Sequence, residues 1–444
     1  MRPLSAAALL ALLSAACSAP PPPVFADRQD AWEAAAARSR RADEPLPERP
    51  DLAALWTYAQ EHNPGLRAAL QDWRQALEVV PAAASLPDPR LSLAFSPRPV
   101  ETRNGPAWGR LGLHQAFPWF GSLDDEAARA FAAAEAAREA WETARNRVRA
   151  ELAEAWFEYA WLAEATEITR GNLDLLRHLE AVSRTLYETG EGSQADLIRA
   201  QVEIGRLEDR LKTLEDLRRP LSARIRAVLG RPGSEPLPWP TAALPDAADL
   251  GRADELAAGL AATNPELRAL AFRIEAARRG VRLAEKDFYP DFVLGAEWTW
   301  IGPSAGASDS GDDALGLSFG LDLPFRRARL RAQEAGARAG LAAAERRLDD
   351  RRNQLQAGLE MALYRHRDAA RRVALYRQGL IAKSEESFQS TLAAYQTALA
   401  PFDAVIDAAR LLLEFQLAAV RAEADRAQAA AELERITGRQ LLPF

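Results

Sequence analysis

Two parts of the chain alternate between apolar and small or polar positions. Leu91, Leu93 and Phe95 alternate with Ser92, Ala94 and Ser96, and Leu111 and Leu113 alternate with Arg110, Gly112 and His114. Further on, Phe292, Leu294, Ala296, Trp298 and Trp300 share one face, and Leu315, Leu317, Phe319, Leu321 and Leu323 oppose Gly316, Ser318, Gly320 and Asp322. A period of two with one apolar face predicts strands, here a hairpin over 90–117 and another over 291–323. The segments 97–108 and 302–313, rich in Gly, Pro, Ser and Asp, read as their loops. Helical segments at 64–85 and 265–288 lead into the hairpins. After each hairpin comes a long stretch without proline, from Pro118 to Pro220 and from Pro324 to Pro401. Helices over 122–187 and 326–395 fit, each ~100 Å long at 1.5 Å per residue. They turn at Thr189-Gly190-Glu191-Gly192-Ser193 and at Ala398-Leu399-Ala400-Pro401. Returning helices run to Gly230 and Gly438, where a glycine suits a helix C-terminus.

The chain therefore repeats itself. Asn63-Pro64-Gly65-Leu66-Arg67 recurs as Asn264-Pro265-Glu266-Leu267-Arg268, 201 residues later, and Pro89 answers to Pro290 at the same offset. Pro118-Trp119 answers to Pro324-Phe325 at 206, Tyr187 to Tyr395 at 208, and Gly230-Arg231 to Gly438-Arg439 at 208. Ordered landmarks with so small a drift indicate a duplication. The first repeat covers 51–230, with the helical hairpin at 122–230. The second covers 251–440, with the helical hairpin at 325–438, and the proline-rich stretch 231–250 links them. The fold class is mainly α with a small β part.

Composition narrows the function. Ala, Leu, Arg and Glu are the vocabulary of long helices. The 444 residues carry a formal net charge of −7, and acids and bases are interspersed, so a nucleic-acid partner is not indicated. One cysteine, Cys17, excludes an internal disulfide, and His62, His114, His178 and His366 lie far apart. No cofactor or metal site is expected. No HExxH, GxSxG or Walker pattern is present, so an enzyme is not expected. Residues 1–17 place one positive charge before a short apolar run and small residues, the layout of a secretory signal. Ser14-Ala15-Ala16-Cys17 resembles a bacterial lipobox, although Leu13 stands one place earlier than the preferred leucine. An ordinary signal peptide that contains a cysteine is the other reading. Ser18 resembles outer-membrane sorting in Gram-negative lipoproteins, and 18–50, opening with four prolines, reads as an extended tether.

Four strands, apolar on one face, suit an outer-membrane barrel but cannot close one, and lipid does not tolerate open edges. Several copies must complete it; three would give twelve strands. The duplicated Asn-Pro-x-Leu-Arg, Pro118-Trp119-Phe120-Gly121, and Tyr187-x-x-Gly190 followed by Asp196 resemble the TolC family of outer-membrane efflux ducts, from about 52 to 440. The resemblance implies a homotrimer with a β-barrel and a long α-helical periplasmic tunnel. It also implies partnership with a periplasmic adaptor and an inner-membrane pump of the RND type. It makes the turns at Gly190, Gly192 and Pro401 the periplasmic tip, with acids beyond the second turn ringing a closed aperture. Asp407 falls on the later of the family's acidic positions; the earlier is Ala404, with Asp403 one residue before it. Asp403 and Asp407 could equally be solvated charges, with Arg410 near enough to pair with one. Asp196 and Arg199 read as capping or an intersubunit contact. Trp108, Trp119, Trp298 and Trp300 read as an interfacial belt, or, for Trp119, as packing where strand meets helix. A periplasmic adaptor and a structural coiled-coil lipoprotein are the competing functions. The first predicts one hairpin rather than two; the second leaves the strands unexplained.

Overall fold

The computed structural model describes residues 22–39, 47–240, 253–304, 311–397 and 399–444; Cys17 and Ala398 lie outside them. In chain order the elements are α1 (Phe25–Ser39), α2 (Leu52–His62), α3 (Pro64–Ala83), β1 (Arg90–Thr102), β2 (Gly105–Phe117), α4 (Ser122–Glu188) and α5 (Gln194–Leu229). Then follow α6 (Ala253–Thr263), α7 (Pro265–Lys286), β3 (Asp291–Ile301), β4 (Ala314–Asp322), α8 (Arg327–Leu375), a π-helical turn (Tyr376–Leu380), α9 (Ile381–Gln396) and α10 (Phe402–Thr437). Helix dominates, as composition requires. Among the described residues no helix is long and apolar enough to cross a bilayer. Two compact units share the chain: Met1–Ala34, Gln71–Glu139 and Arg268–Asp350 form the first, and Ala35–Leu70, Ala140–Leu267 and Arg351–Phe444 the second.

The first unit holds one antiparallel sheet in the order β1-β2-β3-β4. In the second hairpin the strands stop at Ile301 and resume at Ala314, where the alternation predicts; in the first they do not stop where it predicts. Residues 97–102 and 105–108 belong to strands, and the chain reverses at Arg103-Asn104, with Thr102 paired to Gly105. The Thr102 hydroxyl donates to the Gly105 carbonyl at 2.6 Å, and Gly105 has φ 130°, a conformation glycine favours. Prolines at 97 and 99 are tolerated because β1 is an edge strand and they fall in a register break between Phe95 and Val100. The segment 18–50 is also not wholly extended. α1 crosses it, and Phe25, Trp32, Ala35 and Ala36 are buried, a helical spacing that the neighbouring prolines obscure. Within the first unit the α1 residue Arg28 pairs with buried Glu135 at 2.6 Å, and the Arg74 guanidinium lies 4.9 Å from the Trp32 ring centroid. Trp119 is a packing residue of the strand-to-helix junction. It stacks on Tyr289 at 4.8 Å between ring centroids, and its backbone N–H donates to Asp291 at 2.8 Å.

In the second unit the repeated motifs meet each other. Asn63 accepts from the Leu66 N–H at 2.9 Å, capping α3, and its amide donates to the Val228 carbonyl at 2.7 Å near the end of α5. Asn264 does the same in the other copy, accepting from Leu267 at 3.0 Å and donating to Ile436 at 2.7 Å. Gly230 and Gly438 terminate α5 and α10 with φ of 67° and 68°. A Cβ at either would strike the opposing loop, 2.7 Å from the His62 oxygen and 2.5 Å from the Thr263 oxygen. Asn-Pro and Gly-Arg therefore recur together because they form the two halves of one joint. The core of this unit includes Leu152, Phe157, Tyr159, Leu162, Ile225 and Leu229, with the alanines of α10, whose small side chains permit close helix approach. The π-helical turn carries Arg377, which pairs with Glu423 of α10 at 2.7 Å.

Candidate functional site

Two features stand out, one in each unit. In the first unit, register places whole rows of side chains on one face of the sheet. Leu93, Leu111, Trp298 and Leu315 form one row, and Leu91, Leu113, Ala296 and Leu317 the next. Leu294 beside Phe319 and Phe292 beside Leu321 continue it. Most of these side chains are exposed, Leu317 at 84%. So contiguous an exposed apolar patch calls for a non-aqueous partner. The other face carries Ser92, Gly112, Glu297 and Gly316 in one row and Arg90, His114, Gly295 and Ser318 in another. There Arg110 and His114 face Glu297 at 3.3 and 3.6 Å. Glycines on this face leave room: a Cβ on Gly295 would lie 2.5 Å from the His114 ring. Among the described residues, β1 and β4 each have one side without a strand partner.

In the second unit, the two helical turns have the same geometry. The Leu186 carbonyl accepts from Glu191 and Gly192, each at 2.8 Å, and the Ala394 carbonyl accepts from Leu399 and Ala400 at 2.8 and 3.3 Å. Each pair is 208 residues apart, as are the residues that open the returning helices, Ser193 and Pro401. Gly190 supplies a φ of 79°. Gly192 supplies closeness, since a Cβ there would lie 2.9 Å from Leu186. Phe402 is buried against Tyr395, 5.2 Å between ring centroids, which pins the second turn. Asp196 lies in the first turn of α5, where a carboxylate suits the helix dipole.

Asp403 and Asp407 are both exposed and both paired within the chain. Asp403 meets Arg199 of α5, and Asp407 meets Arg410 at 3.2 Å. Arg410 also binds Glu203 of α5, which takes Arg206 on its other side at 2.9 Å. The hydrogen bonds from Arg410 hold the buried Glu203 carboxyl below the usual carboxylate range against the opposing effect of burial. α5 and α10 are thus laced by alternating charges beyond the turns. The pair Asp407–Arg410 is readable from its spacing of three. Glu203 is not, because its partner comes from the other repeat. Cys17 falls outside the described residues.

Comparison with known proteins places these features in context. The outer membrane efflux protein family matches the sequence twice, over residues 55–231 and 257–439. The fusaric acid resistance protein FusA of Burkholderia cepacia is 25% identical over 350 residues, covering 74% of this chain and 64% of FusA, so the chain spans just under two thirds of that relative's length. The fold is similar to that of the outer membrane protein VceC of Vibrio cholerae, with a TM-score of 0.72, 20% identity, and coverage of 87% of this chain and 96% of that one. The open-state MtrE outer membrane channel of Neisseria gonorrhoeae gives 0.70 and 19%, with 88% and 89% covered.

Proposed function

Because this chain belongs to the outer membrane efflux protein family, we propose that it is the outer-membrane exit duct of a tripartite efflux pump. It passively conducts substrates delivered by an inner-membrane transporter of the RND type through a periplasmic adaptor. The observation that carries this reading is the sheet: one face apolar and exposed, the other polar and glycine-rich, with two open edges. An open edge in hydrocarbon leaves backbone groups unsatisfied, so β1 of one copy pairs with β4 of the next. Three copies give twelve strands, with Arg110, His114 and Glu297 lining the lumen. Cys17 is the acylated mature N-terminus, a hydrophobic anchor beside the barrel. Native mass spectrometry of the solubilised protein tests these assignments together. A threefold species whose chains begin at a diacylglycerol-modified Cys17 is expected. A stable bilayer-inserted monomer removes the shared barrel, and an unmodified terminus removes the anchor.

In this reading the paired turns form the periplasmic aperture, and Asp403 and Asp407 contribute up to six carboxylates around the threefold axis. The lacing by Arg199 and Arg410 offsets part of their repulsion and ties α10 to α5 in the closed state. A residual negative ring favours cations and attracts multivalent blockers. In planar bilayers, Asp403→Ala combined with Asp407→Ala is expected to reduce cation selectivity and relieve block by divalent or trivalent cations added on the periplasmic side. The amount of threefold species should not change. Wild-type block and selectivity in the double variant would make these aspartates solvated surface charges and move the constriction elsewhere.

A further inference from the structure

The two long helices leave the sheet at equivalent points of the repeat with opposite charge. α4 opens with Asp124, Asp125 and Glu126, and carboxylates suit the positive end of a helix dipole. Asp125 is further satisfied there by Lys286 at 2.7 Å and Arg279 at 3.1 Å. α8 opens with Arg327, Arg329 and Arg331, directly after Arg326, and has no acid in its first turn. Four guanidinium groups within six residues repel one another, and the dipole disfavours them as well. All four are exposed, and among the described residues no carboxylate lies within ion-pair distance of any of them. Arg327 lies 5.7 Å from the Phe288 ring centroid. Burial and Asp291 push the Asp287 carboxyl up, and the charge of Arg329 acts in the opposite sense. Immediately before the arginines stand Leu323 and Phe325, the latter 81% exposed, which extend the apolar stripe of β4. An apolar strand that ends in exposed Leu and Phe and then in four exposed arginines, none of them in an ion pair among the described residues, matches the profile of a bilayer: acyl chains, then phosphate.

We propose that Arg326, Arg327, Arg329 and Arg331 form a strip that binds the phosphate headgroups of anionic phospholipids in the leaflet where β4 leaves the membrane, with Leu323 and Phe325 seated among the acyl chains. The inference rests on the duct reading, since it requires β4 to lie in a bilayer. Arginine suits the task because its planar fork donates two hydrogen bonds to one phosphate. Juxtamembrane basic clusters are drawn to anionic leaflets, and the attraction weakens with salt. The start of α4 carries acids instead of arginines, so each chain has one such strip and a threefold assembly has three.

The test is native mass spectrometry of the full-length protein released from nanodiscs of phosphatidylglycerol, phosphatidylcholine or their mixture. The wild type is expected to retain phosphatidylglycerol in preference to phosphatidylcholine. Retention should drop by about tenfold or more in R326Q/R327Q/R329Q/R331Q, fall in high salt, and resist competition by inorganic phosphate. The fourfold lysine variant keeps the charge and should keep most of the preference. If the glutamine variant does not assemble, R326Q/R327Q alone should show a partial loss. Equal retention of the two lipids by the wild type overturns the proposal, as does unchanged retention in the assembled glutamine variants. Loss of the threefold species in both lipids alike, with retention per surviving assembly unchanged, also overturns it and assigns the arginines to a contact with the neighbouring chain. A wild type that neither inserts nor forms a threefold species overturns the duct reading; one that does both without headgroup preference overturns only this inference.

Discussion

Asn264→Ala is expected to destabilise the protein by about 2–4 kcal/mol. The side chain is buried and makes two bonds at once: it caps α7 at Leu267 and holds the Ile436 carbonyl at the end of α10. Loss of a helix cap costs about 1 kcal/mol, and a buried carbonyl left without a donor costs about 1–3 kcal/mol more. Alanine also leaves Gly438 facing a loop it no longer grips. Asn264→Ser should recover the cap alone and fall between the two. Asn63→Ala should behave alike, since Asn63 makes the same pair of contacts with Leu66 and Val228. The melting temperature of the threefold species reads all three variants. A loss below about 0.5 kcal/mol for Asn264→Ala would mean that water replaces both contacts and that the joint between Asn-Pro and Gly-Arg is incidental.

Leu317→Arg should abolish stable insertion, while Ser92→Arg should leave it intact. The two positions lie in neighbouring rows on opposite faces of the same sheet. Leu317 is the most exposed apolar side chain of β4, in the row with Leu91, Leu113 and Ala296. An arginine facing lipid at mid-depth costs about 2–4 kcal/mol, and symmetry would repeat that cost in every copy. Ser92 shares its row with Glu297, so an arginine there joins the lumen charges. Fractionation into outer membranes, followed by the threefold band on native gels, distinguishes the two variants. Normal insertion of Leu317→Arg would mean that this face meets protein or water rather than lipid, and the sheet would cease to support a barrel.

Much of the fold is legible because helix periodicity and punctuation agree. Gly230 and Gly438 mark helix ends in the sequence and occupy left-handed caps in the structure. The second strand hairpin is legible for the same reason, with strand ends at Ile301 and Ala314. The first is misread at 97–108 because Pro97, Pro99 and Pro106 signal a loop. Whether a proline breaks a strand depends on whether its missing N–H faces a partner, and that is a property of sheet order. α1 is hidden by the prolines beside it, although Phe25 and Trp32 are spaced as a helix requires. At the turns, Asp403 and Asp407 are visible as charges, but Arg199, which pairs with Asp403, and Glu203, which pairs with Arg410, lie in the other repeat and become neighbours only after folding. Arg326 and the three arginines that open α8 are plain in the sequence. They acquire meaning only beside the exposed strand that precedes them and the acidic helix start they contrast with.

The π-helical turn at Tyr376–Leu380 lies in the stretch over which the offset between the two copies changes by one residue. Upstream of it, buried positions of the two copies correspond at an offset of 207: Val148 with Leu355, Leu152 with Leu359, Trp156 with Leu363. Downstream, the tip corresponds at 208, Leu186 with Ala394 and Tyr187 with Tyr395. One added residue in a regular α-helix would rotate everything beyond it by about 100° and advance it by about 1.5 Å. Held as a widened turn, the same residue leaves the phase of the helix on either side undisturbed. Two duplicated arms can therefore differ in length by one residue and still end in turns of the same geometry.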